Sequence, residues 1–146
     1  MVAADIRVFI HVAGAMALVG TLVLAVFALV NAHRRGDEAA VRFAYRVLVR
    51  AVLPAYIVMR VGAQMVLSYE HLDKVKAAWL DIGFMTSDGG ALLLLITIAI
   101  SGRRLKRTKS GESSAHATAL MVATALCGVL IAAYMVAVWA MTTKPS

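Results

Sequence analysis

Apolar positions fall into four long runs, at about residues 6–32, 51–69, 80–100 and 115–141, separated by short stretches rich in arginine, lysine, aspartate and glycine. Each run approaches or exceeds the ~20 mostly apolar residues that carry a helix across a bilayer. Four such runs with short connections predict an all-α fold, a transmembrane four-helix bundle of up-down-up-down order occupying residues 1–146 as one domain. The first run begins directly after Asp5, without a basic leader, and continues for ~25 residues, so it reads as a retained helix and not as a cleaved signal peptide.

Finer patterning divides the runs. Helix one places Ala13, Ala17, Thr21, Ala25 and Ala28 at spacings of three or four, and helix four offers Ala119, Ala123 and Gly128. Small residues let helix backbones approach closely, which drives association where lipid removes the hydrophobic force. Before the second run, Arg42, Arg46 and Arg50 recur every fourth residue, with Val41, Tyr45, Leu48 and Val49 on other faces. Residues 38–50 therefore read as an amphipathic cytoplasmic extension whose arginine stripe faces water or phosphate. Pro54 has no N–H to offer the Arg50 carbonyl, which predicts a kink at 50–54. A faint duplication pairs Gly14-Ala-Met-Ala with Gly90-Ala-Leu-Leu, and Ala55-Tyr56-Ile-Val with Ala133-Tyr134-Met-Val.

Composition strengthens the membrane reading. The chain is 62% hydrophobic, its mean hydropathy is +0.82, and ordinary soluble domains are roughly 45–50% apolar. The net charge of +7 is unevenly spread. Arg34, Arg35, Arg42, Arg46 and Arg50 crowd the first connection, Arg103, Arg104, Lys106, Arg107 and Lys109 the third, and the 70–80 connection mixes both signs. The positive-inside bias then puts the first and third connections in the cytoplasm and both termini outside, in a bacterial inner membrane. Arg34, Arg35, Arg103, Arg104 and Arg107 are placed to meet anionic headgroups, each charge near the surface contributing ~1 kcal/mol. No aromatic interleaving accompanies them, so a nucleic-acid partner is not expected. Cys127, the single cysteine, reads as a small packing residue, and Trp79 and Trp139 as interfacial anchors.

Charge inside the second run changes the picture most. Counting inward from Tyr69 at 1.5 Å per residue, Arg60 lies ~13 Å below the outer surface, near the middle of a ~30 Å core. A charge there costs ~2.5–3.5 kcal/mol on insertion scales, so it should face the bundle and be paired. Asp88, ~12 Å inside helix three, is the expected partner; His11 at ~9 Å and Tyr134 at ~10 Å complete one polar layer to which all four helices contribute. Tyr56 and Gln64 share the Arg60 face at four-residue spacing, which extends the layer to a ligand-binding set of His11, Tyr56, Arg60, Gln64, Asp88 and Tyr134. Gly89 and Gly90 leave room beside the carboxylate.

Such a layer admits three readings: a structural Arg–Asp pair fixing helix register, a site for quinone, haem or a lipid-like ligand, or a proton path. A bis-histidine haem needs His11 with His71, or His33 with His116, because His11 and His33 are ~33 Å apart along one helix. No HxxxH, HxxE or Cys/His cluster suggests a metal, and no nucleophile–base motif or dinucleotide fingerprint suggests an enzyme. The corresponding functions are ligand binding, a non-catalytic accessory or assembly role within a larger membrane complex, and proton-coupled transport of a small solute, the last requiring a homo-oligomer.

The segments Leu53-Pro-Ala-Tyr-Ile-Val-Met-Arg-Val-Gly-Ala-Gln64, Asp81-Ile-Gly-Phe-Met-Thr-Ser-Asp-Gly-Gly90 and Val138-Trp-Ala-Met-Thr-Thr-Lys-Pro145 resemble a group of small bacterial integral membrane proteins built of four helices. That resemblance covers most of the chain and implies the fold, with no activity attached. Phe9-Ile-His-Val-Ala-Gly-Ala15 is more distantly similar to the opening of four-helix membrane proteins of the copper-resistance D type. The likeness implies a redox or metal-related setting, although the metal-binding pattern of a copper protein is missing here.

Overall fold

The computed structural model describes residues 2–69, 78–108 and 116–143. Every described residue is helical except Gly36 and Asp37. The elements are α1 (Val2–Arg35), α2 (Glu38–Val47), a π-helical turn (Leu48–Val52), α3 (Leu53–Tyr69), α4 (Ala78–Thr108) and α5 (His116–Thr143). The helices overrun the apolar runs at several ends, since backbone hydrogen bonding does not stop where the hydrocarbon does. Four stretches, Ile6–Arg35, Glu38–Tyr69, Asp81–Leu105 and Thr118–Ala140, are long and apolar enough to cross a membrane. Their outer surfaces suit lipid: Met85 is 78% exposed and Phe27 75%, an inversion that water would penalise.

Chain reversal after α1 is short. Gly36 takes φ +64, a left-handed conformation that glycine adopts without strain. Asp37 then caps α2, its carboxylate accepting from the Ala39 N–H at 2.8 Å. The helix α2 therefore folds back along α1, burying Val41, Ala44 and Val47 and leaving Arg42 and Arg46 exposed. Residues 38–50 are thus the amphipathic start of one long rod that continues into α3, with the arginine stripe exposed. Its only interruption is the turn at Leu48–Val52, where the Leu53 N–H reaches back five residues to the Leu48 carbonyl. The break falls where Pro54 withholds its donor from Arg50, and the extra residue in the turn rotates α2 relative to α3.

Two helix pairs form the molecule. α1 packs along α2 and α3, α4 packs along α5, and contact between α1 and α5 joins the pairs. Leu18, Leu22, Leu29, Leu48, Val52 and Leu130 fill the centre, each at most 1% exposed. Cys127 is fully buried among them, in the packing position expected of it.

The closest approach is between α1 and α3. A Cβ on Gly14 would stand 2.6 Å from the Met59 nitrogen, and one on Gly62 would stand 2.7 Å from both the nitrogen and the Cα of His11. The two glycines are reciprocal: each lies against the other helix's backbone, which sets α1 and α3 antiparallel. The tight seam thus depends on glycine, whereas Ala17 in the small-residue stripe of helix one is exposed.

By contrast, α3 and α4 meet only lightly. Gly62 turns one face of α3 toward α1, and α4 is held by α5, so α3 and α4 are bridged chiefly by polar side chains.

Candidate functional site

Polar side chains bridge α3 and α4 where apolar packing does not. Arg60 reaches across to Asp88, Nη2 to Oδ1, at 2.7 Å. Its Nη1 donates to the Ser87 hydroxyl at 3.2 Å, and its guanidinium lies 5.6 Å from the centre of the Phe84 ring. One turn away, the Tyr56 hydroxyl donates to the Ser87 carbonyl at 3.3 Å. Spacing explains the convergence: Tyr56 and Arg60 are one turn apart on α3, while Phe84, Ser87 and Asp88 share one face of α4.

The pair is not enclosed within the chain. Side-chain exposure is 31% for Arg60 and 65% for Asp88, which departs from the buried pair expected from depth alone. Within the seam the Ser87 side is buried, but the carboxylate looks outward from the bundle. Gly89 is exposed beside it, and no described atom lies within 4 Å of a Cβ built there. The carboxylate is therefore open to the surroundings, and the guanidinium partly so.

Tyr134 and His11 sit on other seams. Tyr134 is 7% exposed and packs between α4 and α5, its hydroxyl over Gly90, where a Cβ would approach it to 2.6 Å. It shares the apolar cluster with Tyr56, so the two tyrosines flank the top of the core. His11 hydrogen-bonds through Nδ1 to the Met59 carbonyl at 3.0 Å, tying α1 to α3. A carbonyl accepts only, so Nδ1 carries the proton in this bond. Among the described residues no hydrogen bond links His11 with Arg60 or Asp88. Gln64 is exposed, one turn beyond Arg60, and lines a separate groove with Arg7 and Tyr69. The expected layer is thus one cluster, Tyr56, Arg60, Ser87 and Asp88, with Tyr134 within electrostatic reach of Tyr56 and with His11 and Gln64 directed elsewhere.

Ser87, Phe84 and the Met59 carbonyl were not expected. Phe84 lies one turn before Asp88 and was detectable by that spacing; a backbone acceptor leaves no sequence signal. Arg34, Arg35 and Arg103 are exposed at the opposite end, and Arg104 is drawn inward, within electrostatic reach of Glu38 on α2. Arg107 lies on α4 with its side chain outside the described set, as are the Trp79 and His116 side chains; His71 lies outside the described residues altogether. His33 is exposed, and no group of metal-binding side chains exists among the described residues. Trp139 is 62% exposed near the end of α5.

No protein family, curated protein or solved structure matches the chain.

Proposed function

We propose that this is a small multi-pass protein of the bacterial inner membrane that binds an amphipathic molecule between α3 and α4. The helices run up-down-up-down, both termini lie outside, and the ligand enters sideways from the extracytoplasmic half of the bilayer. The observation that supports this reading is an Arg60–Asp88 pair spanning an otherwise open seam with its carboxylate facing outward. Charged groups within a span are costly and mark binding sites or proton paths. Here the chemistry favours a quinone-like head: spare Arg60 N–H groups donate to a carbonyl, and the open Asp88 oxygen accepts from a hydroxyl of the reduced form. An isoprenoid or acyl tail would lie along the exposed apolar surface of Ile57 and Leu92. Haem is supported less well, because no second histidine lies beside His11 among the described residues.

The same exposed carboxylate also supports a second reading, in which a helix of a larger membrane complex covers the seam and the protein is an accessory subunit. Titration with decylubiquinone in detergent separates the two. Ligand binding predicts saturable one-to-one association, weakened about 10–100-fold by Arg60→Gln through loss of a charge-assisted hydrogen bond of ~1.5–3 kcal/mol. Absence of saturable binding by the intact protein overturns the quinone reading and leaves the accessory one.

A further inference from the structure

A second arrangement of polar groups lies at the end of the bundle where α1 begins and α3 ends. Arg7 lays its guanidinium over the Tyr69 ring, with Cζ 4.1 Å from the ring centre. Gln64, Ser68, Val61 and Met65 complete a groove of about 550 Å³ with these two. It lies over the outward surface of α3, around the helix from the Asp88 seam, and Gln64 is its nearest residue to Arg60.

We infer that this groove is a headgroup site for one anionic phospholipid, with its phosphate on Arg7 and an acyl chain over Met65 and Val61. Three features carry the assignment. Arg7 has no carboxylate partner among the described residues. Stacking uses the guanidinium face, so the planar edge with its fork of N–H donors remains available to a phosphate. Ser68 and Gln64 supply further neutral donors beside it, and none of the described lining residues is a carboxylate that would repel an anion.

Position and floor point to a lipid instead of a free anion. Tyr69 ends α3 at the level where aromatic rings meet headgroups. Val61, two turns lower, is ~12 Å deeper in the hydrocarbon by helical rise. Val61 and Met65 are exposed along that path, so a chain attached to the phosphate has an apolar bed, which inorganic phosphate would not use. This site lies at the opposite end from the arginine-rich connections and needs neither Arg60 nor Asp88.

Native mass spectrometry of the full chain, reconstituted in mixed micelles of phosphatidylglycerol and phosphatidylcholine, tests it. One phosphatidylglycerol per chain should be retained, with at least fivefold preference over phosphatidylcholine. Arg7→Gln should reduce retention at least fivefold, and Ser68→Ala should reduce it about threefold, while Arg60→Gln leaves it unchanged. Should Arg7→Gln disturb folding, the Ser68→Ala result decides. Equal retention by the intact protein and Ser68→Ala or a folded Arg7→Gln, equal uptake of both lipids, or displacement by millimolar inorganic phosphate would overturn the lipid assignment. Loss of retention in Arg60→Gln would instead merge this groove with the α3–α4 seam.

Discussion

Gly62→Ala is expected to destabilise the protein by about 1–3 kcal/mol, the usual range for forcing an extra carbon into a closed interface. Its new Cβ would fall 2.7 Å from two backbone atoms of His11, and backbone cannot rotate aside as a side chain can. The helices must separate, and separation lengthens the 3.0 Å bond from His11 to the Met59 carbonyl. Gly14→Ala acts on the same contact from the other side, with 2.6 Å to the Met59 nitrogen. The double variant should therefore cost less than the sum of the two, because one separation relieves both collisions. Gly20→Ala and Gly128→Ala provide the contrast: no described atom lies within 4 Å of either new Cβ. Alanine is the better helix former by ~1 kcal/mol, so these two should be neutral or stabilising. Unfolding by titration with a denaturing detergent, followed by circular dichroism, distinguishes the groups. Equal stability for Gly62→Ala and the intact protein would show that α1 and α3 do not meet as described.

Asp88→Leu should destabilise by about 2.5–3.5 kcal/mol, on the scale of placing an unpaired arginine near the centre of a membrane helix. Arg60 would retain only the Ser87 hydroxyl and the Phe84 ring, neither of which carries a neutralising charge. Arg60→Leu leaves the complementary problem, an orphaned carboxylate already 65% exposed to the surroundings. Replacing both residues by leucine removes both charges and should recover most of the loss, as apolar substitution of an entire ion pair often does. The same unfolding titration yields the coupling energy. Strict additivity of the two single variants would mean that the 2.7 Å contact is not maintained in the membrane. In the double variant, near-normal stability combined with lost quinone binding would separate the functional role of the pair from its structural one.

How much of this was legible in the sequence depends on which coordinate of a helix is asked for. Apolar run length reports that a helix spans, and all four runs lie on helices long and apolar enough to do so. Counting residues from a helix end reports depth, and on that basis Arg60 and Asp88 were placed at one level. Depth does not report direction around the bundle. His11 has a depth close to theirs yet turns to the Met59 carbonyl, and Tyr134 turns to Gly90. Nor does one helix's sequence reveal which neighbour it will prefer: the flat surface at Gly62 commits α3 to α1, which leaves the α4 side open and the ion pair uncovered. Pro54 forecast the break, because a missing donor is a local chemical fact. Many small residues surround Gly14 and Gly62, and only reciprocal contact distinguishes the two that the seam requires.

Whether a ligand occupies the space between α3 and α4 is most directly tested by location. A quinone carrying a photoreactive group on its ring, activated with the protein in a bilayer and followed by peptide mapping, reads that location without relying on a variant. Labelling is expected to concentrate on the segments around Tyr56–Arg60 and Phe84–Gly89 and to be suppressed by excess unlabelled quinone. Labelling spread evenly over the lipid-facing surfaces, or unaffected by competitor, would contradict a binding site in the seam.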